Sequence, residues 1–318
     1  MSNRDSIFVE APARLHFGVL DLRGQLGRCF GGLGAAIPSP SLLLEVSGAD
    51  RFSAEGPDSE RAVEFAERWV RYHGLTEGAH LTIQRAIPSH SGLGSGTQLA
   101  LAVARGLSEL HGLSAGPEEL ARATGRGKRS AIGTWAFGLG GFIVEGGRRP
   151  GSDTIAPLLT RFPVPDDWRY VLAVPDGGRG LSGEAEALAF EQLPAPPQSE
   201  VERVAHIVLM QLLPALVEAD LPSFGAALSQ VQRITGAWFA PQQGGIFAPG
   251  PTEHLVSAMA ARGALGVGQS SWGPAAYGLV SGPAAAEKLA QQVRGDLGSP
   301  GQVFHGKFAA QGARVWGL

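Results

Sequence analysis

The stretch HSGLGSG, His90 to Gly96, followed by TQLALAVARGLSEL, constrains this chain more than any other. Three glycines and two serines stand at the mouth of a helix whose apolar face is Leu99, Val103, Leu107 and Leu110, ending near Gly112. Glycine is costly to order, so three together mark a place where the backbone must turn sharply or meet something closely. Because HLTIQRAIP upstream alternates like a strand, the unit reads strand, glycine loop, helix. Backbone N–H groups in such a loop, backed by the positive end of a helix, suit an anion. The competing reading is a helix entry capped by Ser95. The loop is not a Walker loop, since no Lys-Ser/Thr follows, and it lacks the GxGxxG dinucleotide spacing.

A second glycine-rich segment, GVGQSSWGPAAYGL (Gly266 to Leu279), offers another backbone approach to the same ligand, with Trp272 placed either to stack on a ring or to fill the core. Basic residues accompany these loops: Arg14 and His16, Arg28, Arg126 with Lys128 and Arg129, and Arg179. An arginine fork matches phosphate bidentately, whereas a solvated surface cation is the ordinary alternative. Carboxylates near the loops are few, namely Glu10, Asp21, Asp176 and Glu184, and any could hold Mg²⁺ through water. The eight histidines form no HxxxH or HExxH pattern, and the lone Cys29 excludes an internal disulfide or a cysteine zinc site.

The 318 residues suffice for two domains, each with its own core, and the break falls in PLLTRFPVPDDW, giving 1–164 and 165–318. In the first, SERAVEFAERWVRYHG predicts a helix ended by Gly74, GPEELARATG a short helix, and GKRSAIGTWAFGLGGFIVEGG a loop leading to a strand. LDLRGQLGRCFGGLGAAIP reads as a glycine-rich arm before the strand SLLLEVSG. The second domain has helical spacing at 200–219, 222–236, 252–262 and in AAAEKLAQQVRG. A chain 44% hydrophobic and 17% charged is globular, and glycine plus proline, about a fifth of it, stay below the low-complexity range. With net charge −3 there is no general attraction for nucleic acid, and no apolar run reaches a membrane span. Cytoplasmic residence, without secretion or anchoring, is the expectation.

The order APARLHFGVLDLRGQLGR, IPSHSGLGSGTQLALAVA, GVGQSSWGPAAYGL resembles the three-motif plan of the galactokinase, homoserine kinase, mevalonate kinase and phosphomevalonate kinase superfamily. Its members carry GLGSS where this chain has GLGSG, so Gly96 replaces the second serine. Together with RSAIGTWAFGLGGFIVEGG, the motifs are similar to the beta-ribofuranosylaminobenzene 5'-phosphate synthase branch. The resemblance implies a two-domain α+β fold of the GHMP-kinase type with the site between the domains. It implies an activity too: joining 4-aminobenzoate or 4-hydroxybenzoate to phosphoribosyl pyrophosphate with loss of CO₂ and pyrophosphate, in tetrahydromethanopterin synthesis, by a magnesium-using homodimer. Gly133 stands where alcohol kinases of the superfamily carry a catalytic aspartate. Under this resemblance the catalytic candidates are Arg14, His16, Arg28 and His90. Arg14 or Arg28 would hold the benzoate carboxylate, and His16 or His90 would handle protons. Ser91, Gly92, Gly94, Ser95, Gly96, Thr97, Lys128, Arg129, Gly268, Gln269, Ser270 and Ser271 are the candidates for phosphate, and Asp21, Asp176 and Glu184 for metal. An ATP-dependent small-molecule kinase and a non-catalytic ligand sensor on the same fold are the alternatives.

Overall fold

The computed structural model describes residues 6–177, 180–181, 183–298 and 300–317. Strands β1 (Ile7–Asp21) and β2 (Phe30–Ala49) pair antiparallel along almost their whole lengths. Early in β1, Ile7, Val9 and Ala11 are buried while Phe8 and Glu10 between them are not, the period-two pattern of a strand with one covered face. The other edge of β2 is shared: β4 (Gly78–Arg85) pairs with its second half and β5 (Phe142–Glu145) with its first. Short β3 (Ser53–Glu55) and β6 (Leu158–Phe162) lie outside β4 and β5. The glycine-rich arm is therefore partly strand, because β2 starts at Phe30 rather than at the apolar run.

Helix α1 (Ser59–His73) ends as its sequence requires, at Gly74 with φ 67°. Helix α2 (Ser95–Leu110) packs on β1, β2 and α1, and α3 (Pro117–Ala123) follows with proline in its first turn. GTWAFGL, expected as loop, is instead helix α4 (Ile132–Leu139). Residues 132–137 are all buried, so the segment shows no polar face for periodicity to reveal.

The second sheet is antiparallel in the order β10 (Gln302–Gly306), β7 (Trp168–Val174), β9 (Ala276–Ser281), β8 (Gly266–Gln269). Its helices are α5 (Gly183–Gln192), α6 (Gln198–Ile207) running through a π turn (Val208–Leu212) into α7 (Leu213–Val217), α8 (Leu221–Gln243), α9 (Pro251–Ala261) and α10 (Pro283–Leu297). The 164/165 break lies between β6 and β7; a cluster with Val171, Leu255, Met259 and Leu289 belongs to the second half alone, while the larger cluster crosses the break. Phe17 meets Phe142 and Tyr277, and Phe142 and Trp168 both meet Phe224, so one apolar cluster runs through both sheets. The last strand, β11 (Arg314–Gly317), returns to pair with β1. Among the described residues no helix is long and apolar enough to cross a membrane.

Candidate active site

The three sequence motifs meet at the junction of the two sheets. Arg14 and His16, two apart on β1, face the same way, and bulges at Pro12/Ala13 and His16/Gly18 bracket them. Arg14 reaches under the glycine loop, where its Nη1 donates to the Gly92 carbonyl and its backbone N–H donates to Leu93 O at 3.2 Å. From the far motif, fully buried Ser270 accepts from the His16 N–H at 3.0 Å and donates to Gly92 O at 2.6 Å. Segments 254 and 178 residues apart are thus stitched through one hydroxyl. His90 and Ser271 hold left-handed backbone (φ 56° and 55°), conformations that cost a non-glycine residue and collect at functional sites.

A cavity of about 760 Å³ opens here. Helix α2 points its N-terminus into it, with Gly94 at the cap (φ 81°), no capping side chain and no acid in the first turn, so Ser95 does not serve as the cap. The Thr97 N–H donates to Gly94 O at 3.0 Å, and the Ser95 and Gly96 amides ahead of it, with the helix field, suit an anion. Gly96 has a use of its own: a Cβ there would collide with the Arg61 Nη2 and lie 3.2 Å from that of Arg126. The absence of a side chain at Gly96 leaves room for the ends of two guanidinium groups as they are placed. Arg126 also donates to Thr97 Oγ1 at 3.2 Å. Arg14, Arg61, Arg68, Arg126, Lys128 and Arg129 all line the cavity, against Glu186, which pairs with Arg129. Burial pushes Arg14 down to about 10, opposed by Glu186 and reinforced by Arg126; burial and then Arg61 take Arg126 to about 10. Cations so crowded and so desolvated would be stabilised by an anion.

His16 is nearly buried, and burial followed by the Arg14 charge lowers it to about 3, so the imidazole is neutral at physiological pH. Its Nε2 lies 3.2 Å from Ser130 Oγ, and Ser130 in turn hydrogen-bonds Glu145, whose carboxyl burial raises despite the Gly147 and Ala131 amides. Because the folded chain refuses a proton that the unfolded chain accepts, stability is complete above the ordinary value of 6.5 and falls as pH drops toward 3. Going from pH 6.5 to about pH 5 is expected to remove about 2 kcal/mol through this group alone. Urea titrations over that range should show the loss, and His16→Gln should flatten it.

Not every expected residue arrives. His90, Gly92, Gly94, Ser95, Gly96, Thr97, Lys128, Arg129, Gln269 and Ser271 line the cavity with Arg14 and His16. Ser91, Gly268 and Ser270 do not line it; they hold the loops together instead. Ser91 Oγ donates to Pro88 O at 2.6 Å, and a Cβ at Gly268 would collide with Gln232. Arg28 does not line the cavity; its Nη1 donates to Gly147 O at 3.1 Å. Asp21 caps its own turn, accepting from the Arg23 and Gly24 amides at 2.6 and 2.9 Å, and Asp176 is exposed outside the cavity. Arg179 and the Glu184 side chain lie outside the described residues. Among the described residues no three acidic, His or Cys side chains converge, and Glu186 is committed to Arg129, so they do not fit a protein-built magnesium site.

Glu145, Ser130, Arg61, Arg68 and Glu186 were not singled out by the sequence. An acid closing the apolar run FIVE was the available signal for Glu145. At Gly133 a Cβ would sit 3.1 Å from Thr97 Cγ2, and the carbonyl accepts from Gln98 Nε2 at 2.9 Å.

Comparison with known proteins agrees with this geometry. The GHMP kinases N terminal domain matches residues 60–141 and the GHMP kinases C terminal domain residues 212–298. The beta-ribofuranosylphenol 5'-phosphate synthase of Methanothermobacter thermautotrophicus is 35% identical over 294 residues, 86% of this chain and 88% of its own. That of Archaeoglobus fulgidus is 37% identical over 239 residues, 71% and 75% of the two chains. A homoserine kinase structure from Cytophaga hutchinsonii covers 99% of both chains with TM-score 0.68 at 18% identity, a likeness of fold. The chain is an enzyme with the α+β GHMP-kinase fold, and it belongs to the beta-ribofuranosylphenol 5'-phosphate synthase family.

Proposed function

We propose that the protein condenses 4-hydroxybenzoate or 4-aminobenzoate with phosphoribosyl pyrophosphate, releasing CO₂ and pyrophosphate, as a step in tetrahydromethanopterin synthesis. One observation carries the reading: an acid-poor, arginine-rich pocket at an uncapped helix N-terminus shares its cavity with an aromatic floor, and residue 133 is a glycine with no carboxylate to offer as a base. The anomeric carbon–oxygen bond breaks with its electron pair leaving on pyrophosphate. The ring carbon bearing the carboxylate supplies the pair for the new carbon–carbon bond. The bond to the carboxylate then breaks, its pair restoring the aromatic ring as CO₂ departs.

Charge grows on the leaving diphosphate, so the α2 amides with Arg61, Arg126 and Lys128 act where the transition state differs most from the substrate. Arg129, over the ring of Phe190 at 5.4 Å, stands where polar and aromatic walls meet, and the guanidinium donors not engaged by Glu186 would receive the carboxylate. His16, held neutral, adds no cation beside the developing positive sugar. Magnesium enters this proposal as a companion of the diphosphate, held by substrate oxygens and water rather than by a cage of carboxylates. Purified protein given both substrates should release CO₂ and pyrophosphate in equal amounts without ATP. ATP consumption with a small alcohol, and no CO₂, would establish a kinase instead.

A further inference from the structure

The aromatic end of the cavity is built as tightly as the cationic end. Phe190 of α5, Phe239 of α8 and Trp272 pack edge to face, with centroids 5.5 Å (Phe190–Trp272), 4.8 Å (Phe239–Trp272) and 5.7 Å (Phe190–Phe239) apart. Each line of contact locks the next ring, and all three border the cavity, so together they make a rigid surface for a planar guest.

Two polar groups beside this floor have spent their donors. Gln243 Nε2 donates to Gly245 O and Ile246 O, both at 2.8 Å, and its Oε1 accepts from Gln269 Nε2 at 3.1 Å. An amide nitrogen has two hydrogens and an amide oxygen two lone pairs, so Gln243 retains acceptor capacity alone. The Thr235 hydroxyl is in the same state, since it donates to Val231 O at 2.9 Å. Both side chains line the cavity.

We infer that this end is the subsite for the aromatic acceptor, and that Gln243 Oε1 with Thr235 Oγ1 selects a ring carrying a hydrogen-bond donor opposite its carboxylate, a phenol or primary arylamine. This rests on the ribosyl-transfer reading. With the carboxylate toward Arg129, the opposite substituent points away from the sugar and toward these acceptors. The selection has a chemical use: an acceptor on the O–H or N–H pushes electron density into the ring, and the position para to that group is the carbon that must attack. A ring with no donor leaves the spare lone pairs of Gln243 Oε1 and Thr235 Oγ1 cut off from water without a partner, a cost that a mismatch in apolar volume does not carry.

Titration calorimetry on the full chain at saturating pyrophosphate would compare 4-hydroxybenzoate, 4-aminobenzoate and the size-matched 4-methylbenzoate. Both donor compounds should bind at least about tenfold more tightly than the methyl compound. In Gln243→Met the three should fall within about threefold of one another while pyrophosphate affinity stays within about twofold. The wild-type comparison stands even if the variant misfolds. Equal binding of the methyl compound to wild type, or discrimination that survives in Gln243→Met, overturns the subsite. If the donors release CO₂ but show no preference, the transfer reading stands and the subsite falls; preference without CO₂ keeps the subsite and removes the transfer.

Discussion

Gly92→Ala is expected to cost about 3 kcal/mol or more, several times the penalty of an ordinary turn glycine. Gly92 has φ 79°, where a side chain is strained, and the added Cβ would collide with the backbone oxygen of Ser270 while lying 3.1 Å from that of Gly273. Backbone atoms cannot rotate aside as a flexible side chain can. Gly112 provides the control, because its φ of 66° carries the same conformational penalty but nothing stands within 4 Å of its Cβ. Gly112→Ala should therefore cost only about 1 kcal/mol. Denaturant midpoints of the two variants separate strain from collision, and similar values would mean that the two glycine motifs do not press together as described.

Arg126→Met should behave in the opposite way, losing ligand affinity while keeping its fold. Arg126 is desolvated, and Arg61, Arg129 and Arg68 act against its charge with Glu186 opposing them, so on balance its charge is disfavoured in the free protein. A bound diphosphate reverses that balance, since each charge-assisted hydrogen bond contributes roughly 1.5–3 kcal/mol. Pyrophosphate affinity is expected to fall about a hundredfold. The melting temperature should stay level or rise, as happens when a group retained for function is removed. A drop in Tm with unchanged affinity would make Arg126 a structural residue.

The sequence was most legible where local chemistry decides the outcome. Val63, Ala66, Trp69 and Val70 with Gly74 mark α1, and the glycines at 92, 94 and 96 mark the loop, because spacing and turn geometry act within a few residues. Helix α4 escaped because burial on every side leaves no contrast between faces, and α5 is a short helix with weak patterning. The return of β11 to β1 joins residues about as far apart as the chain allows, and no local signal carries it. In the site, Arg61 and Arg68 sit seven apart on one face of α1, a spacing that equally describes a solvated helix. Only the missing side chain at Gly96 shows that the space beside them is needed. Arg28 and Asp21 look the part in sequence, yet nearby backbone groups of turns and strands engage them first.

The central claim is that a ring carbon replaces diphosphate on the sugar. Incubating the protein with phosphoribosyl pyrophosphate and 4-hydroxybenzoate labelled with ¹³C at the carboxylate-bearing ring carbon, and following the label by NMR, tests it directly. That carbon should become bonded to the anomeric carbon as the carboxylate leaves as CO₂. A benzoate recovered with its carboxylate in place, beside free pyrophosphate from simple hydrolysis or none at all, would contradict it.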